Sequence, residues 1–358
     1  MDTLSACVFS GEDIWARLQR TDKPVVLYGM GDGADKVLRI LSRSGVKPAG
    51  VMASDDFVRG QSFHGFTVET LNQARARLGD FVVLQCFATR RPDVLAHIRA
   101  LAKTCEYYAP DVPVYGDELF DAAFYFRNRQ ALGRVYDRLA DARSKRVFEA
   151  VLRYKLSGDI TALDGTDTCA DASLALTRPE SGSVFVDAGA YDGDTVALFL
   201  NTAGHACERV VALEPDRRSF KKLQARVRSL GAPNIQCLNM AAWDRPGMLA
   251  FGQTAGRQNA IVTGKTPDIH ADSIDNILNG AKAALIKYDV EGLEEEALRG
   301  SEKTIRMFRP ALIISAYHRS RDLFALPMMA LDFYEGYKLY LRRPDYIPAW
   351  DLHYILTP

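Results

Sequence analysis

No two of the six cysteines stand as a CxxC pair. Cys7, Cys86, Cys105, Cys169, Cys207 and Cys237 are scattered, which argues against a disulfide framework or a Cys-based zinc site and reads as reduced thiols in a cytoplasm. Net charge is missing too: 45 Lys and Arg balance 45 Asp and Glu. No basic excess therefore points to nucleic acid or to an anionic membrane surface as a partner. No apolar run approaches the ~20 residues of a transmembrane helix, so no membrane association is expected. The opening MDTLSACVFSGEDIW has neither a cationic stretch nor an apolar one, so no secretory leader is expected. Internal repeats and low-complexity tracts are also lacking.

What is present is an ordinary globular composition, 47% apolar and 25% charged, over 358 residues. That length favours two domains with a connector. Strand-like runs VVLYG (25–29), AGVMA (49–53), FVVLQCF (81–87) and CEYYA (105–109) alternate with helical ones at 34–44 and 92–102. This βαβ series predicts a small Rossmann-like α/β domain over 1–120. The stretch FRNRQALGRVYDRLADARSKRVFEAVLRYKLSG is periodic at helical spacing, with Leu132, Val135, Tyr136, Leu139, Val147, Phe148, Val151 and Leu152 on its apolar face. It is assigned to a helical connector, 121–180. A second alternating series follows, with strands at 184–189, 209–215, 234–241, 248–253, 283–292 and 310–317 and helices near 194–202, 216–230 and 293–306. A closing strand pair is expected at 337–343 and 351–356. The fold class is α/β, with a seven-stranded, doubly wound sheet over 181–358.

Each series opens on a glycine loop. The first, VVLYGMGDGADKVL, gives Gly29-x-Gly31-x-x-Ala34 between a strand and a helix, with Asp55 and Asp56 after the next strand. That is the layout of a dinucleotide fingerprint, so a nucleotide is a candidate ligand and a purely structural or assembly role the alternative. The second, VFVDAGAYDGDT, is a different kind of loop. Asp187, Asp192 and Asp194 crowd it, and carboxylates repel a diphosphate by about 1 kcal/mol per pair at ~4 Å even in water. A cation with hydroxyls suits it better. S-adenosylmethionine carries a sulfonium, an ammonium and a ribose diol but no phosphate. Gly189 and Gly193 allow close backbone approach, with Ala190, Tyr191, Asp194 and Thr195 around them. Glu214, followed by Pro215, ends the second strand, where a carboxylate can accept both ribose hydroxyls. Ala241 and Ala242 offer a small apolar border for an adenine. A lone acid after a strand is usually a solvated loop residue, and Asp194 or Thr195 can simply cap a helix. Loop, acid and small-residue edge on three successive strands are harder to explain that way.

In AALIKYDVEG, Lys287, Asp289 and Glu291 stand at i, i+2 and i+4 on one face of an otherwise apolar strand. Buried charges there must pair or bind something. They either form an ion pair that holds the strand end or face the transferable methyl at the sheet edge. His318 closes the next strand at the same edge. It is a candidate base for a hydroxyl proton, or, with Asp289 and Glu291, a ligand for a divalent cation such as Mg2+.

VDAGAYDGDT, ALEPD, SIDNIL, IKYDVEGLEEEALRGSEKTI and RPALIISAYH, in that order, resemble the FkbM-type methyltransferases over roughly residues 181–345. The resemblance implies an S-adenosylmethionine-dependent methyltransferase fold and O-methylation of a sugar, glycan or natural-product hydroxyl. It maps the cofactor loop to Asp187–Thr195, the ribose acid to Glu214 and the signature charges to Lys287, Asp289 and Glu291. Members of this shape often read LRH near the C-terminal strand, where this chain reads Leu341-Arg342-Arg343. The alternative function is a non-catalytic nucleotide- or glycan-binding or assembly protein with a degenerate methyltransferase domain. A homo-oligomer formed through the first domain is a further expectation.

Overall fold

A computed structural model of the protein describes Val8 and residues 11–177, 184–203, 208–232, 234–253, 259–261 and 268–358. Cys7, Cys207 and the expected boundary at 180/181 lie outside these residues. The other four cysteines are free thiols.

Six strands make the first sheet: β1 (Val25–Tyr28), β2 (Gly50–Met52), β3 (Ser62–Phe63), β4 (Phe66–Glu69), β5 (Val82–Gln85) and β6 (Glu106–Tyr108). Their order is β3-β4-β2-β1-β5-β6, and only the β3–β4 pair is antiparallel. β1 and β5 are buried along their whole length, as a parallel sheet covered on both faces requires. The β3–β4 hairpin was not expected from the sequence. Its signal is the two-residue turn His64-Gly65, both at positive φ, which is the geometry that matches the twist of short hairpins.

Two helices follow, Ala122–Arg138 and Ala142–Ser157. Asp121 and Asp141 cap them by accepting from Phe124 N and Ser144 N, which separates two helices where the periodicity alone shows one long run. The expected apolar positions are buried, Tyr136 partly so. These helices do more than space two domains. Asp141 pairs with Arg342 at 2.6 Å, and Leu341 N donates to Ser144 Oγ. At the other end Lys155 and Asp111, each with 3% side-chain exposure, pair at 2.7 Å. One apolar cluster runs from Val26 and Val83 through Phe124 and Phe148 to Ile286 and Leu312. The first sheet, the helices and the second sheet thus share a core.

The second half contributes β7 (Val184–Ala188), β8 (Arg209–Leu213), β9 (Ile235–Leu238), β10 (Ala241–Ala242), β11 (Gly247–Leu249), β12 (Phe251–Gln253), β13 (Asn259–Ile261), β14 (Ile269–Asp272), β15 (Ala283–Tyr288), β16 (Ala311–Ser315), β17 (Lys338–Arg342) and β18 (His353–Thr357). The seven-stranded sheet has the order β17-β18-β16-β15-β7-β8-β9, with β18 antiparallel to both neighbours. Two expected strands are broken. The run 234–241 ends at Leu238, and Ala241–Ala242 turns away to pair with β14; the run 248–253 splits after Leu249. The helix expected over 293–306 is two helices, Glu294–Arg299 and Glu302–Phe308. A Cβ at Gly300 between them would stand 2.0 Å from Trp243 O. The helix Asp322–Phe333 was missed because Pro327 lies inside it. No described helix is long and apolar enough to cross a membrane.

Candidate active site

The chain runs from β7 through β8 to β9 in one direction and from β15 to β16 in the other. The carboxyl ends of β7 and β15 therefore flank the point where the strand order reverses, which is where open α/β sheets collect ligands. A cavity of about 880 Å³ opens there.

The turn after β7 forms one wall. Gly189 and Gly193 have φ of +85° and +86°, which favours glycine at both. At Gly189 the constraint is also steric, because a Cβ would lie 1.9 Å from Asp289 O. Gly189 N and Ala190 N both donate to Leu213 O, which ties the turn to the end of β8. Glu214 completes that tie: Oε2 accepts from Tyr191 N at 2.8 Å and Oε1 from Asp216 N at 2.7 Å. The carboxylate is 7% exposed and faces the cavity. Burial pushes its pKa up to about 7, against the two N–H donors. Each oxygen keeps a second lone pair, so a vicinal diol fits this group. Asp194, Thr195, Pro215, Ala241 and Ala242 line the same cavity.

Three expected cofactor residues stand behind this wall. Asp187, Ala190 and Gly193 do not line the cavity. Asp187 is wholly buried and sits opposite Lys287 in the β7–β15 register, its Oδ1 3.3 Å from Lys287 Nζ. Burial raises its pKa to about 6, with Lys287 pulling the other way. Asp192 is taken by Arg226 at 2.7 Å. Of the three loop carboxylates, only Asp194 faces the cavity.

The signature charges separate into two sets. Lys287 Nζ also donates to Gly189 O and stands 3.5 Å from Asp289 Oδ2. Burial would lower the Lys287 pKa, but Asp187 and Asp289 outweigh it and the ammonium is held charged. The ion pair foreseen as the bland alternative is therefore present. Lys287 lines the cavity, but its ammonium is committed to Asp187, Asp289 and Gly189 O, which makes it a pin between the glycine turn and the strand end. Asp289 opposes its own desolvation with Lys287 and His318, which together hold its pKa down at about 2; Tyr317 Oη donates to its Oδ1 at 3.0 Å. Glu291 lies beyond the end of β15 at φ +55°. Strand alternation does not place it; the turn does. Both acids line the cavity.

His318 does not. Its side chain is fully buried, covered by the segment that carries Tyr115, whose N donates to His318 O. Nδ1 stands 3.1 Å from Glu294 Oε1, and Nε2 stands 3.4 Å from Glu291 Oε2 and 3.9 Å from Asp289 Oδ1. Burial would lower its pKa, but Glu294 and Glu291 raise it well above the usual histidine value. A ring enclosed away from the cavity does not reach a hydroxyl there, which argues against the expected base role. Glu294 escaped the sequence reading because nothing in GLEEEA marks which acid turns inward. It is 1% exposed, and its Oε1 accepts from Val290 N and Gly292 N.

The first half supplies part of the opposite wall, a contribution that the sequence did not disclose. Ala88 to Arg91, after β5, line the cavity with Tyr346, Trp350 and Asp351 from the β17–β18 connection and His353 at the start of β18. The two loops are joined, Thr89 and Ile347 exchanging N–H···O bonds at 2.9 and 3.1 Å. Arg343, where the resemblance led to a histidine being expected, does not line the cavity. It donates to Thr166 Oγ1 and Tyr346 O and so fixes the turn carrying Tyr346. The first glycine loop looks elsewhere. A Cβ at Gly29 would meet Phe87 Cδ1 at 2.9 Å and one at Gly33 would meet Cys86 O at 2.2 Å, so packing against the residues just past β5 accounts for these two, whereas Gly31, the second glycine of the expected fingerprint, has φ +130° and open space at its Cβ position. Asp55 and Asp56 are exposed on a short 3-10 turn.

This fold and crevice define a Rossmann-like methyltransferase architecture. Residues 187–339 match the Methyltransferase FkbM domain, so the chain carries a domain of that family. A Methyltransferase FkbM from Methylobacillus flagellatus is 22% identical with a TM-score of 0.73, over 93% of this chain and 90% of that one. An rRNA methylase from Streptococcus thermophilus is 14% identical with a TM-score of 0.33, over 52% of this chain and 92% of that one. Fibrillarin from Aeropyrum pernix, in complex with S-adenosyl-L-methionine, is 14% identical with a TM-score of 0.34, over 52% and 72%. No curated protein matches the chain.

Proposed function

We propose that the protein is an S-adenosylmethionine-dependent O-methyltransferase whose acceptor is a hydroxyl of a sugar, glycan or natural product. The observation that carries this reading is Glu214, a buried carboxylate fixed by two backbone N–H groups at a cavity whose neighbouring turn excludes a Cβ. When bound, S-adenosylmethionine would supply an electrophilic methyl. Glu214 would hold its ribose diol, and Ala241 and Ala242 would border the adenine. Asp194 would face the cationic amino-acid end.

The acceptor side is the wall shared by Asp289, Glu291, Tyr346, Trp350 and the loop Ala88–Arg91. Aromatic faces with flanking carboxylates suit a polyhydroxylated ring. Asp289, which stays ionised, orients the hydroxyl. Glu291, with 42% side-chain exposure, is placed to receive its proton. His318 acts through Glu291 and Asp289 as a positioning residue. The first half, on this reading, places the acceptor.

Calorimetry on the whole protein with S-adenosylmethionine, S-adenosylhomocysteine and NAD tests the cofactor. Saturable binding of the first two, absent with NAD, is expected. Methyl transfer from labelled S-adenosylmethionine to a panel of sugars and glycans tests the reaction. Binding of NAD alone would overturn the reading in favour of a nucleotide-binding protein.

A further inference from the structure

His318 sits among carboxylates. Its ring faces three carboxylates, Asp289, Glu291 and Glu294. Lys287 contributes a positive charge from one side only, toward Asp289. His318 is fully buried, yet neither ring nitrogen has a hydrogen bond of normal geometry among the described residues. Buried nitrogens whose carboxylate contacts fall short of normal hydrogen-bond geometry point to something that the protein expects to bind.

We propose that His318 Nε2, Asp289 and Glu291 bind one first-row divalent cation at the floor of the cavity, with Glu294 orienting the histidine from behind. The two separations from His318 Nε2 are those of donors that share an ion. At metal–ligand lengths of roughly 2.0–2.2 Å, adjacent donors stand about 3–4 Å apart, and Nε2 lies 3.4 Å from Glu291 Oε2 and 3.9 Å from Asp289 Oδ1. Nδ1 faces Glu294 Oε1 at 3.1 Å, the carboxylate–histidine–metal arrangement that sets which nitrogen is free to ligate. Asp289 and His318 also form, with Glu294, a cluster whose ligand atoms lie within 4.8 Å of one another; Glu291 joins it through His318 Nε2 at 3.4 Å. An imidazole with carboxylates favours Mn2+, Fe2+ or Zn2+ over Mg2+. The strained backbone at Glu291, φ +55°, also gains a purpose, since it turns this carboxylate back toward the ring. Because Asp289 and Glu291 reach the cavity, an open coordination position would face the acceptor and acidify its hydroxyl. The second oxygen of Glu291 would remain to take the proton. This last step rests on the methyltransferase reading, but the ion binding does not.

The test titrates Mn2+ into full-length, chelator-treated protein with no methyl donor or acceptor present, and reads free Mn2+ by its solution EPR signal. One Mn2+ per chain is expected. Glu294→Gln should weaken binding about 10–100-fold as an orienting partner does, and His318→Ala should abolish it. Glu291→Gln, at a half-exposed position, provides the variant least exposed to folding failure and should weaken binding strongly. Absence of Mn2+ and Zn2+ binding up to millimolar concentration in folded wild type would overturn the proposal. So would binding that survives unchanged in Glu291→Gln. In either case His318 is a buried counter-ion for the loop, and calorimetry with S-adenosylmethionine still decides the cofactor reading separately.

Discussion

Substitution of Glu214 is the sharpest perturbation of the cofactor site. The carboxylate makes two bonds at once, to Tyr191 N on the glycine turn and to Asp216 N on the following helix. Glu214→Ala strips both and removes the acceptor for a ribose diol. Hydrogen bonds to a charged group contribute about 1.5–3 kcal/mol each, so S-adenosylmethionine affinity should fall roughly ten- to a hundred-fold even if the turn partly recovers with water. Glu214→Gln should be almost as harmful. Its amide carries one acceptor oxygen where two are in use, and its NH2 would face an N–H. Protonation makes the same point without mutation. Burial moves this carboxyl from an ordinary 4.5 to about 7. A folded-state pKa above the unfolded one favours the fold below pH 4.5 and withdraws that stability as pH rises to about 7, about 3 kcal/mol in all at 1.36 kcal/mol per unit. The site thus carries a cost in the ionised form that a diol donating to it would offset. Calorimetry should therefore show affinity rising with pH up to about 7 and levelling above it, with protons released on binding. Flat affinity across that window, or unchanged affinity in folded Glu214→Gln, would remove Glu214 from the site.

Gly189→Ala should abolish cofactor binding and lower the melting temperature, since the new Cβ would stand 1.9 Å from Asp289 O at a φ of +85°; a normal melt with normal binding would refute the close approach of β7 and β15. Lys287→Met leaves Asp187 buried without its counter-ion and should cost about 3–5 kcal/mol in denaturant unfolding, and adding Asp187→Asn should recover part of that loss. His318→Ala should lower turnover more than cofactor affinity, which steady-state kinetics set against calorimetry will separate. A chain starting near Asp121 should fail to fold to a soluble monomer, because the apolar cluster from Val26 to Leu312 would be cut open; a cooperative melt from such a fragment would contradict the shared core.

Legibility in the sequence followed local signals. Alternating strand and helix runs gave both sheets, and the helix 92–102 was read to its ends, because buried parallel strands and Pro-started helices are written in contiguous residues. The acid after β8 was legible because its position on the strand end is itself the signal. Contacts between distant segments were not. Nothing in FATRRP says that Ala88–Arg91 will meet a loop more than 250 residues later, though Thr89 and Ile347 are bonded there. Likewise the spacing Lys287, Asp289, Glu291 assumes that the strand continues, whereas it stops at Tyr288 and a left-handed residue sets the direction of Glu291.

The two glycine loops show why a motif needs its neighbours before it has a meaning. Both follow the first buried strand of a parallel sheet, and both have glycines at φ near or above +85°. At Gly29 and Gly33 the missing Cβ makes room for Phe87 and Cys86, just past β5, so the protein itself fills the space there, while Gly31 between them stays open. At Gly189 the missing Cβ lets the Asp289 backbone close in from behind, and the front of the turn, with Glu214 bonded to Tyr191 N, is left facing the cavity. Sequence shows the same backbone freedom in both places. The difference lies in which side of the turn the neighbouring strand occupies: it fills the space at Gly29 and Gly33 and leaves the front of the Gly189 turn open to the cavity.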